Sequence, residues 1–566
     1  MKKLAWLALV LCALAGALHA NTIYVPDDFP AIQDAIAAAG AGDTILVRPG
    51  TYRENIDFLG KAITVRSTDG CWATAIDGGQ PIDPDFGSVV IFQNGEQADS
   101  VIEGFSLING SGTFFSTSSY HGGGIYCDAA SSPTIRDNNI SWNKAGRGGG
   151  IACNEYASPT IEGNIIAGNH ASYDAGGILC RNFASPTIDG NVIRENTCAY
   201  QVGGIKCTGG NLPVISNNII SGNSADEGGG ISCWTSSPVI SGNLIAGNHC
   251  DAGGGGIDCM YGDPLIVGNR IVDNSAGILG GGAYLAYGPG LMANNIISGN
   301  SADKGGGVYC EVATYTFVGN TIVGNTAHVE GGGLLLQTSC DVNVLNTIFW
   351  NNTAPLGKEV CLKEHSGYGS VLSIGFSDLE GGADLAYVDP NCILNMGPGM
   401  LDTDPLFVDG AMEDFHLTWP SPCVNSGQNS AVTELTDSEG DPRIALGTVD
   451  MGADEFWYHL YYTGDVIPGS SIDVKVVGFP TAPVDLFLGS GLADPPYSTQ
   501  HGDFWLEWPP LWQGRIGTIP GSGVLALRVT VPAGWPSRSK HPLQALVGRW
   551  GGAYTLLTNP MTLIVE

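Results

Sequence analysis

The stretch GGGIYCDAASSPTIRDNNISWN, Gly122 to Asn143, is followed by a near copy, GGGIACNEYASPTIEGNIIAGN, Gly148 to Asn169. The residue after Gly-Gly then recurs as Ile125, Ile151, Ile178, Ile205, Ile231, Ile257, Ala283, Val308 and Leu334, at spacings of 25 to 27. Each copy holds three short β-patterned runs: Gly-Gly-Ile-x-Cys, then Pro-Thr-Ile as at Pro133–Ile135, then an Asn-led run such as NIIAGN at Asn164. Alternation of apolar and polar residues marks a strand with one buried face. Three such strands in about 26 residues cannot bury that face alone, but stacked coils enclose one continuous core. A helical repeat would need a 3.6-residue apolar stripe and would not tolerate so many Gly and Asn. The period therefore predicts a parallel β-solenoid, its coils roughly 4.8 Å apart.

Two rows follow from the register. Two residues beyond each Gly-Gly-x apolar position stand Cys127, Cys153, Cys180, Cys207, Cys233, Cys259, Leu285, Cys310 and Leu336. Cys and Leu share one site, so that site faces inward and the thiols pack as small hydrophobes. A disulfide ladder or a metal row would not accept Leu285 and Leu336. Cys198 and Cys250 share a second small-residue row with Ala171, Ala225, Ala276 and Ala302. Asn recurs as Asn139, Asn164, Asn191, Asn218, Asn243, Asn269, Asn295, Asn320 and Asn346. A second Asn row runs from Asn143 through Asn169 and Asn196 to Asn325. An amide that donates and accepts can bond the next Asn and the turn backbone together. The rows are therefore expected to be structural ladders.

The formal net charge of −32 repels a phosphate backbone and argues against nucleic acid as a partner. An acidic extracellular chain can take Ca²⁺ through carboxylate oxygens, or use its charge only for solubility. The 83 glycines are periodic and 43% of the residues are hydrophobic, which argues against disorder. Residues 1–20, MKKLAWLALVLCALAGALHA, read as a secretory signal peptide, with a basic start, a short apolar run and a small residue at the cut. No later stretch is long and apolar enough to span a bilayer, so a secreted or surface-attached protein is expected.

These repeats resemble the right-handed parallel β-helices of the pectin lyase superfamily and the Gly-Gly-x-Ile repeats of polymorphic outer-membrane proteins. The start, TIYVPDDFPAIQDAIAAAGAGDTILVRPGTYRE, resembles the opening of such solenoids. Phe29 to Ala39 is expected to form an amphipathic capping helix, and Thr44 to Val47 a strand. Leu401 to Phe456 contains Asp-Pro-Leu-Phe, Ser-Pro-Cys, Asp-Pro-Arg and Asp-Met-Gly-Ala-Asp-Glu in order. That run is similar to the region called choice-of-anchor Q, which implies surface attachment and no particular reaction. The expected fold is all-β: a right-handed three-stranded parallel β-helix with an N-terminal capping helix, followed by a small β-sandwich. The expected divisions are a signal peptide at 1–20, the β-helix at 21–395, the closing region at 396–456 and the sandwich at 457–566. The last segment carries six of the 12 Trp, readable as sandwich core or as a sugar-stacking platform.

The resemblance places functional residues on the outward face of the Gly-Gly-Ile strand. Candidate ligand-binding residues there and just beyond are Tyr126, Arg181, Lys206, Trp234, Asp258 and Tyr284. Asp402, Asp404 and Asp409 are candidate Ca²⁺ ligands, or turn residues that bond their own backbone. Asp174, Asp226, Glu227, Asp251 and Glu330 precede Gly-Gly and are expected to form a loose acidic stripe. Cys392 and Cys423 are a candidate disulfide. YGDP, Tyr261 to Pro264, resembles part of an alginate epimerase motif, but it aligns with the repeat segment YASP at Tyr156. No catalytic residue stands out. The leading expectation is a non-catalytic surface β-helix that adheres or binds polysaccharide through its outer strand face. The alternative is a polysaccharide lyase or C5-epimerase acting on uronate polymers.

Overall fold

The computed structural model describes residues 20–456, apart from 117, 118, 438, 439, 445 and 446, and beyond 456 the strand segments with a few neighbours. The expected signal peptide lies outside the described residues except for Ala20. Two compact units make up the chain, the second comprising Leu345–Ile348, Gly375–Glu380 and Gly397–Glu566.

The first unit is the expected parallel β-solenoid. Strands Ile125–Cys127, Ile151–Cys153 and Ile178–Arg181 pair in parallel, Ile125 opposite Ile151 opposite Ile178, within a 13-stranded sheet. Thr134–Arg136 and its copies build a 15-stranded sheet, and Asn139–Ser141 and its copies another of 13. Ile135, Ile161, Ile188, Ile215, Ile240 and Ile266 lie in register and are fully buried. Each contributes roughly 1.5–3 kcal/mol by leaving water. The core is thus a column of like side chains.

The coils between Lys144 and Glu330 also contain a fourth strand that the sequence reading did not anticipate. Lys144–Arg147, His170–Asp174, Thr197–Cys198 and their successors lie just before Gly-Gly and, with the earlier strands Phe86–Gly87, Gly112–Ser116 and Ser119–His121, form an 11-stranded sheet. Short polar runs such as KAGR and HASYD read as loop, because the pairing comes from the neighbouring coil and not from local pattern. The chain then reverses tightly at Gly-Gly. A Cβ on Gly149 would lie 2.6 Å from the Gly176 and His170 carbonyl oxygens, and one on Gly150 2.7 Å from that of Gly177. Only glycine lets the coils approach this closely.

Both Asn rows are continuous ladders, with the first corrected at each end. Asn138, not Asn139, stands below Asn164: its Nδ2 donates to Asn164 Oδ1 at 3.1 Å, while Asn139 Nδ2 reaches only Ser106 Oγ. The row then climbs through Asn191, Asn218, Asn243, Asn269 and Asn295 to Asn320, each step 3.0 Å. Asn346 is off the ladder, at φ 52°, with its amide bonded to the Gln428 backbone. The second row runs from Asn143 to Asn325 and on to Asn352, which donates to the buried carboxylate of Glu359. A carboxylate only accepts, so it can end a chain of donors.

Every cysteine among the described residues is a free thiol, and all but Cys71 are buried. This corrects the candidate Cys392–Cys423 disulfide: each is unpaired, and Cys423 Sγ donates to Asp378 Oδ2. Cys127 to Cys259 stack inward as expected, and Cys250 packs with Ala276 and Ala302. Burial pushes the Cys250 and Cys361 thiols up to about 12. A thiolate-directed reagent is therefore expected to label Cys71 promptly in the folded chain and the others only on unfolding. Prompt labelling of several thiols under native conditions would contradict the buried column.

The capping helix is shorter than expected, Ile32–Ala38, and buries Ile32, Ala35 and Ile36. Both ends are held by the first coils. Glu54 accepts from the Ile32 and Gln33 N–H groups at 2.9 Å, and Lys61 Nζ donates to the carbonyls of Ile36, Ala37 and Ala39. Anion at the N-terminus and cation at the C-terminus both suit the helix dipole. Among the described residues no helix is long and apolar enough to cross a membrane.

In the second unit, Arg443 is fully buried and donates to Glu455 Oε2 at 3.2 Å and to the Gly452 carbonyl at 2.5 Å. Asp450 accepts from the backbone of Asn425 and Phe456. The Asp-Pro-Arg and Asp-Met-Gly-Ala-Asp-Glu runs thus form one buried polar knot. Beyond it the described strands are antiparallel, and Ile472, Val474, Val476, Val484, Leu486, Leu543 and Ala545 share a buried cluster. Trp457, Trp508, Trp535 and Trp550 lie outside the described residues, as do the side chains of Trp505 and Trp512.

Candidate functional site

The outward face of the Gly-Gly-Ile strand is not an open platform. Tyr126, Ala152, Leu179, Lys206, Ser232, Asp258 and Tyr309 are all buried, with Lys206 the most exposed at 7%. The Gly-Gly reversal brings the preceding segment back over this face. Ala175 packs on Ala152 and Leu179, and at the far end Leu279 packs against the cluster of Tyr309, Leu335 and Cys361. The coil thus has a second, lateral core outside its main column, and the expected solvated strand face is corrected accordingly.

The six candidate ligand residues divide under this cover. Tyr126 is sealed, its hydroxyl donating to Asp128 at 2.6 Å. Arg181 lies over the Phe115 ring, 5.2 Å from its centroid, and burial together with the nearby Arg147 charge pushes its guanidinium down. Lys206 is committed to an ion pair with Asp174 at 2.6 Å and to a hydrogen bond with Gln201. Asp174 is also paired with Arg147, and Glu330 with Lys304 and Lys363. The acidic stripe is therefore largely buried ion pairs at those two positions. Asp226, Glu227 and Asp251 remain exposed.

Trp234, Asp258 and Tyr284 are brought together. They line one cavity of about 230 Å³ with Glu227, Ala252, Gly253, Met260, Ile278 and Leu279. Its floor is the outward face of three successive strands, since Ser232 and Trp234 stand opposite Asp258 and Met260, and Asp258 opposite Tyr284. Its walls are the pre-Gly-Gly segments of the neighbouring coils. Asp258 Oδ2 accepts from Ser232 Oγ at 3.0 Å, while Oδ1 has no hydrogen-bond partner among the described residues. The residue is only 5% exposed. Burial pushes its carboxyl up to about 7, the Glu227 charge adds to that, and the Ser232 bond and the Lys206 charge oppose it. Tyr284 is anchored by donating to Glu311 Oε2 at 2.8 Å.

Beside the cavity runs a ridge of exposed rings. Trp234 is 5.6 Å from Tyr261, and Tyr261 stacks on Tyr287 at 4.8 Å with their planes 9° apart. Tyr261 and Tyr287 also line a shallow groove of about 540 Å³ with Pro289, Val312 and Thr314. Because the rings cover one another, the ridge offers mostly edges, and free faces only at its ends. The YGDP segment belongs to this ridge. Both Tyr261 and Tyr287 adopt φ of 58°, so the row of turns aims them outward. Met260, Ile278 and Leu279 were missed by sequence reasoning, whereas Glu227 was legible only as a member of the acidic stripe. A signal existed: SAGILGGG at 275–282 places Ile278 and Leu279 where SADEGGG and SADKGGG place charge.

Asp402, Asp404 and Asp409 do not converge with other ligands; among the described residues no group of three or more His, Cys, Asp or Glu is placed to hold a metal ion. Asp404 Oδ1 accepts from the Leu406 N–H in a local turn, and Asp409 lies 3.9 Å from Lys475 Nζ.

No curated protein matches the chain. The family described as right handed beta helix region matches residues 88–248 and 238–373, which span every repeat from Gly122 through the cavity to the last Gly-Gly coil. With the coil-on-coil register of its strands, this places the chain in the right-handed β-helix family.

Proposed function

We propose that this is a non-catalytic, exported β-helix protein, secreted or held at the cell surface, that binds carbohydrate at the Trp234–Asp258–Tyr284 cavity. The observation that carries the reading is the meeting of these three side chains on one recess. Aromatic walls with a few converging polar groups are the usual make-up of a small-ligand site. Sugar C–H faces suit the rings, and sugar hydroxyls can donate to a carboxylate. The ridge from Trp234 to Tyr287 offers further contact through its ring edges and the free faces at its ends. The outer strand face as a whole does not support binding, because it is covered.

The uronate reading finds less support. A lyase or epimerase must neutralise a carboxylate and supply a base. The cavity is lined by two carboxylates and no cationic residue, and Lys206 and Arg181 are engaged elsewhere. A glycan array probed with the full chain is expected to give hits that Trp234→Ala abolishes. Hits unchanged by that substitution, or none at all, would overturn the reading. Incubation with pectate and alginate, with and without Ca²⁺, is expected to give neither unsaturated nor epimerised product. For export, N-terminal sequencing of protein recovered outside the cell is expected to begin at Asn21.

A further inference from the structure

We propose that the cavity between Trp234, Asp258 and Tyr284 receives a protonated amine, so that the ligand is an amino sugar with a free amino group and not a neutral or acidic sugar. This rests on the carbohydrate reading above and narrows it. Three observations carry it.

The first is the unfilled valence of Asp258. One oxygen is satisfied by Ser232, the other by nothing among the described residues, and the side chain is buried. A buried carboxylate is costly unless a cation or several donors face it. Lys206 is the nearest cation along this face, separated from Asp258 by Ser232, and it is held by Asp174 and Gln201. The missing positive charge is not supplied from within the coil.

The second is the sign of the lining. Glu227 is the other charged residue of the cavity, and it is also acidic. A uronate, sulfate or phosphate brought here would meet two like charges. A hydroxyl could fill the hydrogen bond but would leave the charge unbalanced. An ammonium does both, since it has three donors and a full charge.

The third is the walls. Trp234 and Tyr284 both line this space, and aromatic rings attract a cation at their faces. The volume of about 230 Å³ suits one amine-bearing ring or part of one. The neighbouring groove over Tyr261 and Tyr287 is open to the rest of the chain.

The test is calorimetric titration of the full chain at pH 7 with glucosamine oligomers and with their N-acetylated counterparts, using the native sequence, Asp258→Asn and Trp234→Ala. Tetramethylammonium serves as a sugar-free cation. The expected result is binding of the free-amine oligomers, at least tenfold weaker binding of the acetylated ones, and at least tenfold loss in each variant. Equal affinity for both oligomers, or no loss in Asp258→Asn, overturns the amine inference and leaves the carbohydrate reading standing. Binding of tetramethylammonium without binding of any sugar supports a cation site and overturns the carbohydrate reading. Absence of binding by every probe overturns both.

Discussion

Asp258→Asn is expected to raise the melting temperature of the solenoid by several degrees at pH 8 and to change it little at pH 4. The sign follows from linkage. Burial lifts the Asp258 carboxyl from 3.8 to about 7, so between those values the folded chain holds a proton that the unfolded chain has released. Stability contributed at this site therefore falls as pH rises from about 4 through 7, and the penalty is fully present above 7. The interval corresponds to at most on the order of 4 kcal/mol. Glu227 and Lys206 face the group with opposite effects, and their partial cancellation is already contained in the direction of the shift. Asn is nearly isosteric and never ionises, so it removes the penalty at pH 8, while at pH 4 it replaces a carboxyl that is already neutral. A destabilised variant at pH 8 would mean that Asp258 is held as an anion by a partner within the protein. The gain in stability is expected to coincide with loss of ligand binding, the ordinary trade at a site whose polar group is kept unsatisfied for function.

The second large effect is expected in the ladder. Asn218→Ala removes an amide that donates to the Ile188 carbonyl at 2.9 Å and to Asn243 Oδ1 at 3.0 Å, and that accepts from the Asn191 backbone and side chain. At least three buried groups lose a partner, each worth about 1–3 kcal/mol, so the loss is expected to be about 3 kcal/mol or more. Asn139→Ala is the control. By sequence it stands in the same row, but it begins a strand, and its amide is given only a 3.2 Å contact with Ser106 Oγ. Its replacement is expected to cost under about 1 kcal/mol. Denaturant unfolding of the two variants separates them, and equal losses would contradict the ladder as assigned.

The contrast between these two asparagines shows what could be read from the sequence. The period set the coil, because Ile135 and its copies can be buried only by stacking, and that constraint is visible in one dimension. The inward thiols were legible because Leu285 and Leu336 share their site. Asn138 and Asn139 were ambiguous because both residues are Asn, and only pairing with Ile165 decides which begins the strand. The candidate site was half legible. Alternation put Trp234, Asp258 and Tyr284 on the outward side, but it could not show that this side is roofed. The roof is the segment that runs from the Lys144–Arg147 type of strand to Gly-Gly, and the pairing of that strand depends wholly on the neighbouring coils. A roof turns a list of outward residues into sealed positions such as Tyr126, ion pairs such as Lys206–Asp174, and one recess.

A crystal structure of the full chain grown with a glucosamine oligomer tests the assignment of that recess most directly. The account predicts ligand density with its amine within hydrogen-bonding distance of the Asp258 carboxylate, between Trp234 and Tyr284. Ligand bound elsewhere on the coil, or a recess closed by Trp234 and Met260 over Asp258, would contradict it.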